Sequence, residues 1–111
     1  MYMGLKATNA RVIWGLKDTF KLPEENKNFW VKPWLPQIEC LNHPAVKVCL
    51  THCGMGGSKE CIFAGIPVVT WPHFGDQQPN SQCITKDNKA GIALYDEVRM
   101  SNKIDENLTF L

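Results

Sequence analysis

Residues Trp34 to Gln77 read WLPQIECLNHPAVKVCLTHCGMGGSKECIFAGIPVVTWPHFGDQ, and this stretch decides the fold. Val46 to Leu50 is a short apolar run, followed by Thr51-His52-Cys53-Gly54 and by Gly56-Gly57-Ser58, which opens a helical pattern through Glu60, Ile62, Phe63 and Ala64. Strand, glycine turn and helix in that order form a unit of a parallel α/β sheet. Such a turn aims unpaired backbone N–H groups and the positive end of the helix dipole at one point, where an anion, most often a phosphate, is held. Gly54, Gly56 and Gly57 let the backbone approach the anion without a Cβ in the way, and Ser58 can cap the helix or donate its hydroxyl. His52, at the carboxyl end of the strand, adds a side-chain donor on the same side. Glycines alone often serve only tight turning; their pairing with His52 and Glu60 makes the signal stronger.

The same stretch resembles the signature box of the UDP-glycosyltransferases, the family that moves a sugar from a UDP-sugar to a small acceptor. The likeness runs without a gap through Trp34-Leu35-Pro36-Gln37, His43-Pro44, Thr51-His52-Cys53-Gly54, Glu60, Gly65-Ile66-Pro67, Trp71-Pro72 and Asp76-Gln77, and continues to Asn80. So many fixed spacings make chance agreement improbable. Many relatives carry an aromatic residue and an asparagine where this chain has Met55 and Gly56, and a serine or threonine at Gly57. Those departures leave more of the phosphate contact to backbone N–H groups and Ser58.

Outward from the box, the remaining residues read as scaffolding. Met1 to Ala10 is too brief to be an element with its own core and fits the tail of a helix. Arg11 to Gly15 is a short strand, Leu16 to Asn28 a polar connection containing Pro23, and Phe29 to Val31 a second strand. Pro33 and Pro36 hold Trp34 and Leu35 extended. Ile38 to Leu41 is a short helix, and in the Asn42-His43-Pro44 turn His43 bonds backbone rather than doing chemistry. Gly65 ends the central helix, Val68 to Trp71 is a buried strand, and His73 lies on a rim loop without an assigned role. Asp76 to Asn80 starts another helix that carries Cys83 and Ile84 inward, Asn88 to Gly91 turns the chain, and Ile92 to Leu94 is the last strand. A weak helical pattern follows from Ser101, and Asn107-Leu108-Thr109 is a lone glycosylation sequon.

Composition narrows the partners. The 111 residues and 12.6 kDa amount to one domain at most. Twelve Lys and Arg against eleven Asp and Glu give a net charge of +1, so no electrostatic footprint points to nucleic acid or an anionic membrane. No run approaches the length of a membrane-crossing helix and no signal-peptide layout is present, so the chain reads as soluble. A myristoylation pattern starting at Met3-Gly4 is discounted, because the chain begins at Met1. Cys40, Cys49, Cys53, Cys61 and Cys83 form no C-x-x-C pair, which argues against a disulfide framework and a zinc site. Reduced thiols point to the cytoplasm, with a membrane anchor in a parent protein left open. A Cys53–His52 nucleophile and base is poorly placed, since neighbours on an extended strand face opposite sides.

Each candidate residue has a plainer alternative. Trp34 offers a flat face for a base but tryptophans more often pack in cores; the resemblance implies that it stacks on uracil, with Gln37 beside the base and ribose, and it counts Leu35 among the donor-binding residues. Glu60, eight residues after His52, could accept two ribose hydroxyls, against a solvated helix glutamate; the family uses its matching glutamate on the ribose. Asp76 and Gln77 could bind vicinal sugar hydroxyls, against a plain N-cap, and in the family this pair holds the donor sugar. His52 resembles the histidine that meets charge developing on the departing UDP, against a core histidine satisfied by backbone. With Gly54, Gly57 and Ser58 these complete the expected donor site.

The expected fold is therefore α/β: a Rossmann-like parallel sheet, the partial C-terminal half of a GT-B fold. Residues 1–111 are expected to form a single incomplete nucleotide-sugar-binding domain, with the box at 34–77 and the resemblance over about 11–95. The resemblance implies a parent enzyme performing inverting, metal-independent hexosyl transfer to a small lipophilic or phenolic acceptor. No cofactor is expected, UDP-sugar being a substrate, and no catalytic base lies in this chain; it belongs to an N-terminal half outside these residues. The strands at Arg11–Trp14 and Val46–Thr51 are expected either to leave a gap for a strand not present here or to pair directly. A stand-alone nucleotide-binding module without transferase activity is the alternative. A dinucleotide-dependent oxidoreductase is disfavoured, because the G-x-G-x-x-G fingerprint after the first strand is absent.

Overall fold

The computed structural model describes residues 1–94, which divide into two compact units, 1–36 and 37–94. The expected helical pattern from Ser101 and the Asn107 sequon lie outside the described residues.

In the first unit, helix α1 (Tyr2–Ala7) precedes strands β1 (Val12–Gly15) and β2 (Phe29–Lys32). Met1 to Ala10 thus carries an element after all, a single helical segment anchored by tertiary contacts. Its buried Tyr2 packs a tilted ring 5.0 Å from Phe29 and donates its hydroxyl to Glu24 at 3.2 Å, while Lys6 pairs with the same carboxylate. These anchors are needed because six residues are too few to hold a helix in water. The two strands run parallel, with Val12 opposite Phe29 and Gly15 opposite Lys32. Buried Leu16 follows β1 directly and extends the ladder by donating its N–H to Lys32 at 2.9 Å.

The second unit holds α2 (Gln37–Leu41), β3 (Cys49–Thr51), α3 (Met55–Phe63), β4 (Val68–Thr70), α4 (Gln77–Gln82) and β5 (Gly91–Ala93). The three strands form a parallel sheet in the order β3-β4-β5, with α3 and α4 as the crossovers. β1 and β3 belong to different sheets, so the direct pairing considered for them is absent. A π-helical turn over Cys83–Asp87 continues α4 and is closed by Asn88, whose backbone N–H and side-chain amide both donate to the Cys83 carbonyl at 2.9 Å. That turn rotates the chain so that Ile84 is buried while Cys83 is exposed, against the expectation that both face inward.

Leu41, Cys53, Cys61, Ile66, Val68 and Ile84 make the core of this unit. It contains one polar pair: Thr70 Oγ1 and Ser81 Oγ lie 2.7 Å apart, both buried, and Thr70 Oγ1 also reaches the Ile92 carbonyl at 3.3 Å. A hydroxyl has one hydrogen, so Thr70 donates to Ile92 and accepts from Ser81, leaving neither oxygen orphaned. Between β4 and β5 the backbones approach so closely that a Cβ on Gly91 would lie 2.0 Å from the Val68 carbonyl oxygen.

Candidate functional site

The turn from β3 into α3 is short, and one unusual backbone conformation sets its direction. Cys53 has φ of +70° although it is not a glycine, while the following Gly54 is extended at φ −61°, ψ 144°. A residue with a Cβ in the left-handed region costs on the order of 1–3 kcal/mol and persists only where its surroundings hold it. Here the Cys53 side chain is completely buried in the core, its N–H donates to Thr51 Oγ1 at 3.2 Å, and its carbonyl accepts from Asn80 Nδ2 at 3.0 Å. Burial pushes the Cys53 thiol pKa upward, so it stays protonated and carries no nucleophile chemistry with His52.

α3 starts at Met55, so Gly56 and Gly57 lie in its first turn rather than in a loop ahead of it. The first intrahelical bond is Ser58 N–H to the Gly54 carbonyl at 3.0 Å, which leaves the N–H groups of Met55, Gly56 and Gly57 without an acceptor from the helix itself. No side chain caps this end. Gly56 is surrounded by open space, and Ser58 Oγ is buried with no hydrogen-bond partner among the described residues. A buried hydroxyl left unpaired costs about 1–3 kcal/mol. Amides without a helical acceptor, a helix end without a side-chain cap and an unsatisfied hydroxyl are thus brought together at the start of α3.

His52 is exposed, which removes the core-histidine alternative, and its ring lies over Gly54: a Cβ there would come within 2.8 Å of Nε2. Gly54 is thus required for contact with the imidazole and not for a positive φ. Partial burial, and then the neighbouring His52, pull the His73 pKa below its ordinary value. His73 has no role in the sequence reading, because a rim loop offers no periodicity from which its neighbour can be read.

One turn along α3, Glu60 Oε2 accepts a hydrogen bond from Gln37 Nε2 at 2.6 Å, which joins the start of α2 to α3. The same Gln37 amide would lie 3.5 Å from a Cβ on Gly57, so it covers the face of the first helical turn. Gln37, Gly57 and Glu60 are therefore brought together, as are His52 and Gly54. A groove of roughly 160 Å³ lies between α2 and α3, lined by Ile38, Asn42, Glu60, Phe63 and Ala64; of the expected site residues only Glu60 borders it.

At the end of β4 the expected sugar-side pair has two different environments. Asp76 is exposed and occupies the N-cap position of α4, but makes no capping bond; its Oδ2 accepts from Asn80 Nδ2 at 3.2 Å instead. Gln77 is buried, and its Oε1 accepts from the backbone N–H groups of His73 at 2.8 Å and Phe74 at 3.2 Å. Its carbonyl oxygen thus shapes the loop, and only its amide nitrogen is left to reach outward. In the first unit, Trp34 is 75% exposed and so is not a packing tryptophan, while Leu35 is half-buried with its Cδ1 3.6 Å from where a Cβ on Gly15 would sit. Asn80 and Thr51 were not singled out as functional from the sequence; both hold the turn through side-chain bonds that no motif spells out.

Comparison with known proteins gives this arrangement its class. The family model described as UDP-glucoronosyl and UDP-glucosyl transferase matches residues 1–108, and the chain belongs to the UDP-glycosyltransferase family. It is 38% identical to UDP-glycosyltransferase 73C2 of Arabidopsis thaliana over 98% of this chain and 25% of that protein. It is 33% identical to UDP-glucose flavonoid 3-O-glucosyltransferase 7 of Fragaria ananassa, over 94% of this chain and 24% of that one. The chain thus spans about a quarter of the length of these curated relatives. Among solved structures it resembles UGT89C1 of Arabidopsis thaliana complexed with UDP, at TM-score 0.70 and 26% identity over 83% of this chain and 24% of that one. It also resembles UGT71G1 of Medicago truncatula complexed with UDP-glucose, at TM-score 0.67 and 28% identity over 83% and 22% of the two chains. The fold is accordingly a partial Rossmann-like α/β region of GT-B type. The family match reaches beyond residues 11–95, where the motifs alone had placed it. Among the described residues, no helix is long and apolar enough to cross a membrane.

Proposed function

We propose that these residues form the donor-binding part of an enzyme that transfers a hexose from a UDP-sugar to a small lipophilic or phenolic acceptor with inversion. The reading is supported by relatives whose names describe glucosyl transfer to flavonoids, and by neighbours crystallised with UDP, UDP-glucose and quercetin. The observation that carries it is the layout of α3, with free amides and the buried Ser58 hydroxyl in its first turn and the Gln37-bound Glu60 one turn on. The diphosphate rests on the Met55, Gly56 and Gly57 amides with Ser58, within reach of His52. Glu60 and Gln37 take the ribose, and Trp34 and Leu35 take the base. Asp76 and the Gln77 amide nitrogen take the sugar.

In the transfer the acceptor oxygen attacks the anomeric carbon from the face opposite the diphosphate, its bond forming as the bond to the β-phosphate oxygen breaks. Negative charge gathers on the departing UDP, where fixed amides and an imidazole stabilise it without reorganisation. The proton leaving the acceptor is taken by a base outside these residues: His43 binds the Ala45 N–H through Nδ1 at 3.1 Å, and His52 faces the diphosphate. The proposed transfer uses neither a cofactor nor a metal. Residues 1–111 alone are therefore expected to bind donor without turning it over.

The test is calorimetric titration of the chain with UDP and with 2′-deoxy-UDP. Loss of the 2′-hydroxyl leaves Glu60 with Gln37 but without its ribose partner and should cost on the order of 1–3 kcal/mol. Equal affinity for the two would remove Glu60 from the ribose, and no affinity for UDP would remove the reading.

A further inference from the structure

Asn80 stands outside the expected binding set, yet its one amide group touches both halves of it. Nδ2 carries two hydrogens; one is donated to the Cys53 carbonyl at 3.0 Å and the other to Asp76 Oδ2 at 3.2 Å. The first bond fixes the peptide between Cys53 and Gly54, whose orientation decides where the amides that open α3 point. The second holds one oxygen of Asp76 and turns the other, Oδ1, away from Asn80. The Asn80 N–H also donates to the Asp76 carbonyl at 3.1 Å, so residue 80 sits one helical turn above the carboxylate it restrains. Cys53 is the element that needs restraint, because it is the only residue of the β3–α3 turn in the left-handed region and carries a fully buried side chain.

We propose that Asn80 is a positioning residue that sets the diphosphate turn and the sugar-binding carboxylate with a single amide, so that UDP-sugar is recognised as one unit rather than as nucleotide and sugar separately. The proposal rests on the donor-binding reading above. Asn80 itself touches no ligand. Asparagine is the side chain the geometry requires: an aspartate of the same shape has no hydrogen to give, and would set a carboxylate against both a carbonyl oxygen and the Asp76 carboxylate.

The test compares the affinities of the 111-residue chain for uridine, UDP and UDP-glucose in the wild type, in Asn80→Asp, and in Asn80→Asp combined with Cys53→Gly. In Asn80→Asp the preference for UDP over uridine should fall about tenfold, the worth of one charge-assisted hydrogen bond. The preference for UDP-glucose over UDP should fall as well. Because glycine takes the left-handed conformation freely, adding Cys53→Gly should restore the UDP preference and leave the sugar preference lost. Both preferences unchanged in Asn80→Asp, a parallel loss for all three ligands, or a double variant that does not recover the UDP preference would each overturn the proposal. Should Asn80→Asp not fold, Asn80→Ala, which removes both donors without adding charge, carries the same expectations. A ligand-free measurement separates this inference from the reading beneath it: the amide shifts of Gly54, Met55, Gly56 and Gly57 should move in Asn80→Asp. If the wild type does not bind UDP, the donor-binding reading fails, and unmoved shifts would still overturn the role of Asn80 in the turn.

Discussion

Two helices of the second unit start at the carboxyl ends of neighbouring parallel strands, neither with a side-chain cap, and the connections that lead into them differ. At α3 the connection from β3 is three residues long, nothing caps the helix, and the amides of its first turn are left for something else. At α4 the connection from β4 runs over 71–76 and satisfies itself: Gln77 folds back so that its Oε1 takes the His73 and Phe74 N–H groups, and the Gln77 N–H donates to Phe74 at 3.3 Å. Two glycines separate the ends chemically. Gly56 and Gly57 lower helix propensity by roughly 1 kcal/mol each relative to alanine, and a helix end built this way is not optimised for stability. On the proposed reading the α3 end receives the diphosphate, whereas the α4 end holds a loop and a carboxylate beside it.

The comparison breaks most visibly at Gly54. In Gly54→Ala the new methyl would meet His52 Nε2 at 2.8 Å, so the imidazole must leave the turn. UDP affinity should fall about tenfold to a hundredfold, the range for one lost charge-assisted hydrogen bond of ~1.5–3 kcal/mol, while uridine affinity stays near wild type. Parallel titrations of the two ligands check this. If uridine suffers equally, the glycine serves the fold and not the histidine.

A smaller effect, of the opposite kind, is expected at the other end. Gln77→Ala strips the acceptor from two backbone N–H groups and should lower unfolding free energy by about 1–2 kcal/mol in urea titration. UDP affinity should change little, since that loop is assigned to the sugar and not to the nucleotide. Loss of UDP binding without loss of stability would erase the distinction between the two ends.

The smallest expected effect is pH-dependent and lies where the two ends meet electrostatically. The folded pKa of His73 is below 6.5, its ordinary value, so between the two the unfolded chain binds more protons than the folded one. Stability from this group is therefore fully present above pH 6.5 and is lost as pH falls through the window beneath it. His73→Gln should flatten that slope in denaturation curves taken from pH 7 downward. A slope that survives the substitution would assign it to other groups.

The parallel α/β alternation and the placement of His52, Gly54, Gly57 and Glu60 on one strand–helix unit were legible because they follow from apolar runs and glycine spacing. The strand expected at Val46–Leu50 is instead Cys49–Thr51. Its partner explains the shift: β4 starts after Pro67, and the ladder begins where the Cys49 N–H reaches the Pro67 carbonyl at 3.0 Å. Val46 is used in a turn, donating to the His43 carbonyl at 2.9 Å, and Val48 is exposed. The glycines at 56 and 57 read as a turn by propensity, and the helix nevertheless begins at Met55, because burial of Cys61 in the core outweighs local preference. Asn80 was legible as the end of the family likeness and as a helix residue, but not in what its side chain holds. Its bond to Cys53 spans 27 residues and fixes a left-handed cysteine that sequence gives no reason to expect.

Gly91 has a consequence at the level of the gene. A Cβ at that position would overlap the Val68 carbonyl oxygen at 2.0 Å, a backbone atom that cannot rotate away. Every missense change available to a glycine codon through one nucleotide installs a side chain with a Cβ. Each of them would therefore push β5 away from β4 and carry the Ile92 carbonyl away from the Thr70 hydroxyl that meets it at 3.3 Å. In a mutational scan of this chain, position 91 should show no tolerated single-nucleotide substitution, although it lies on an edge strand and away from every residue assigned to the ligand.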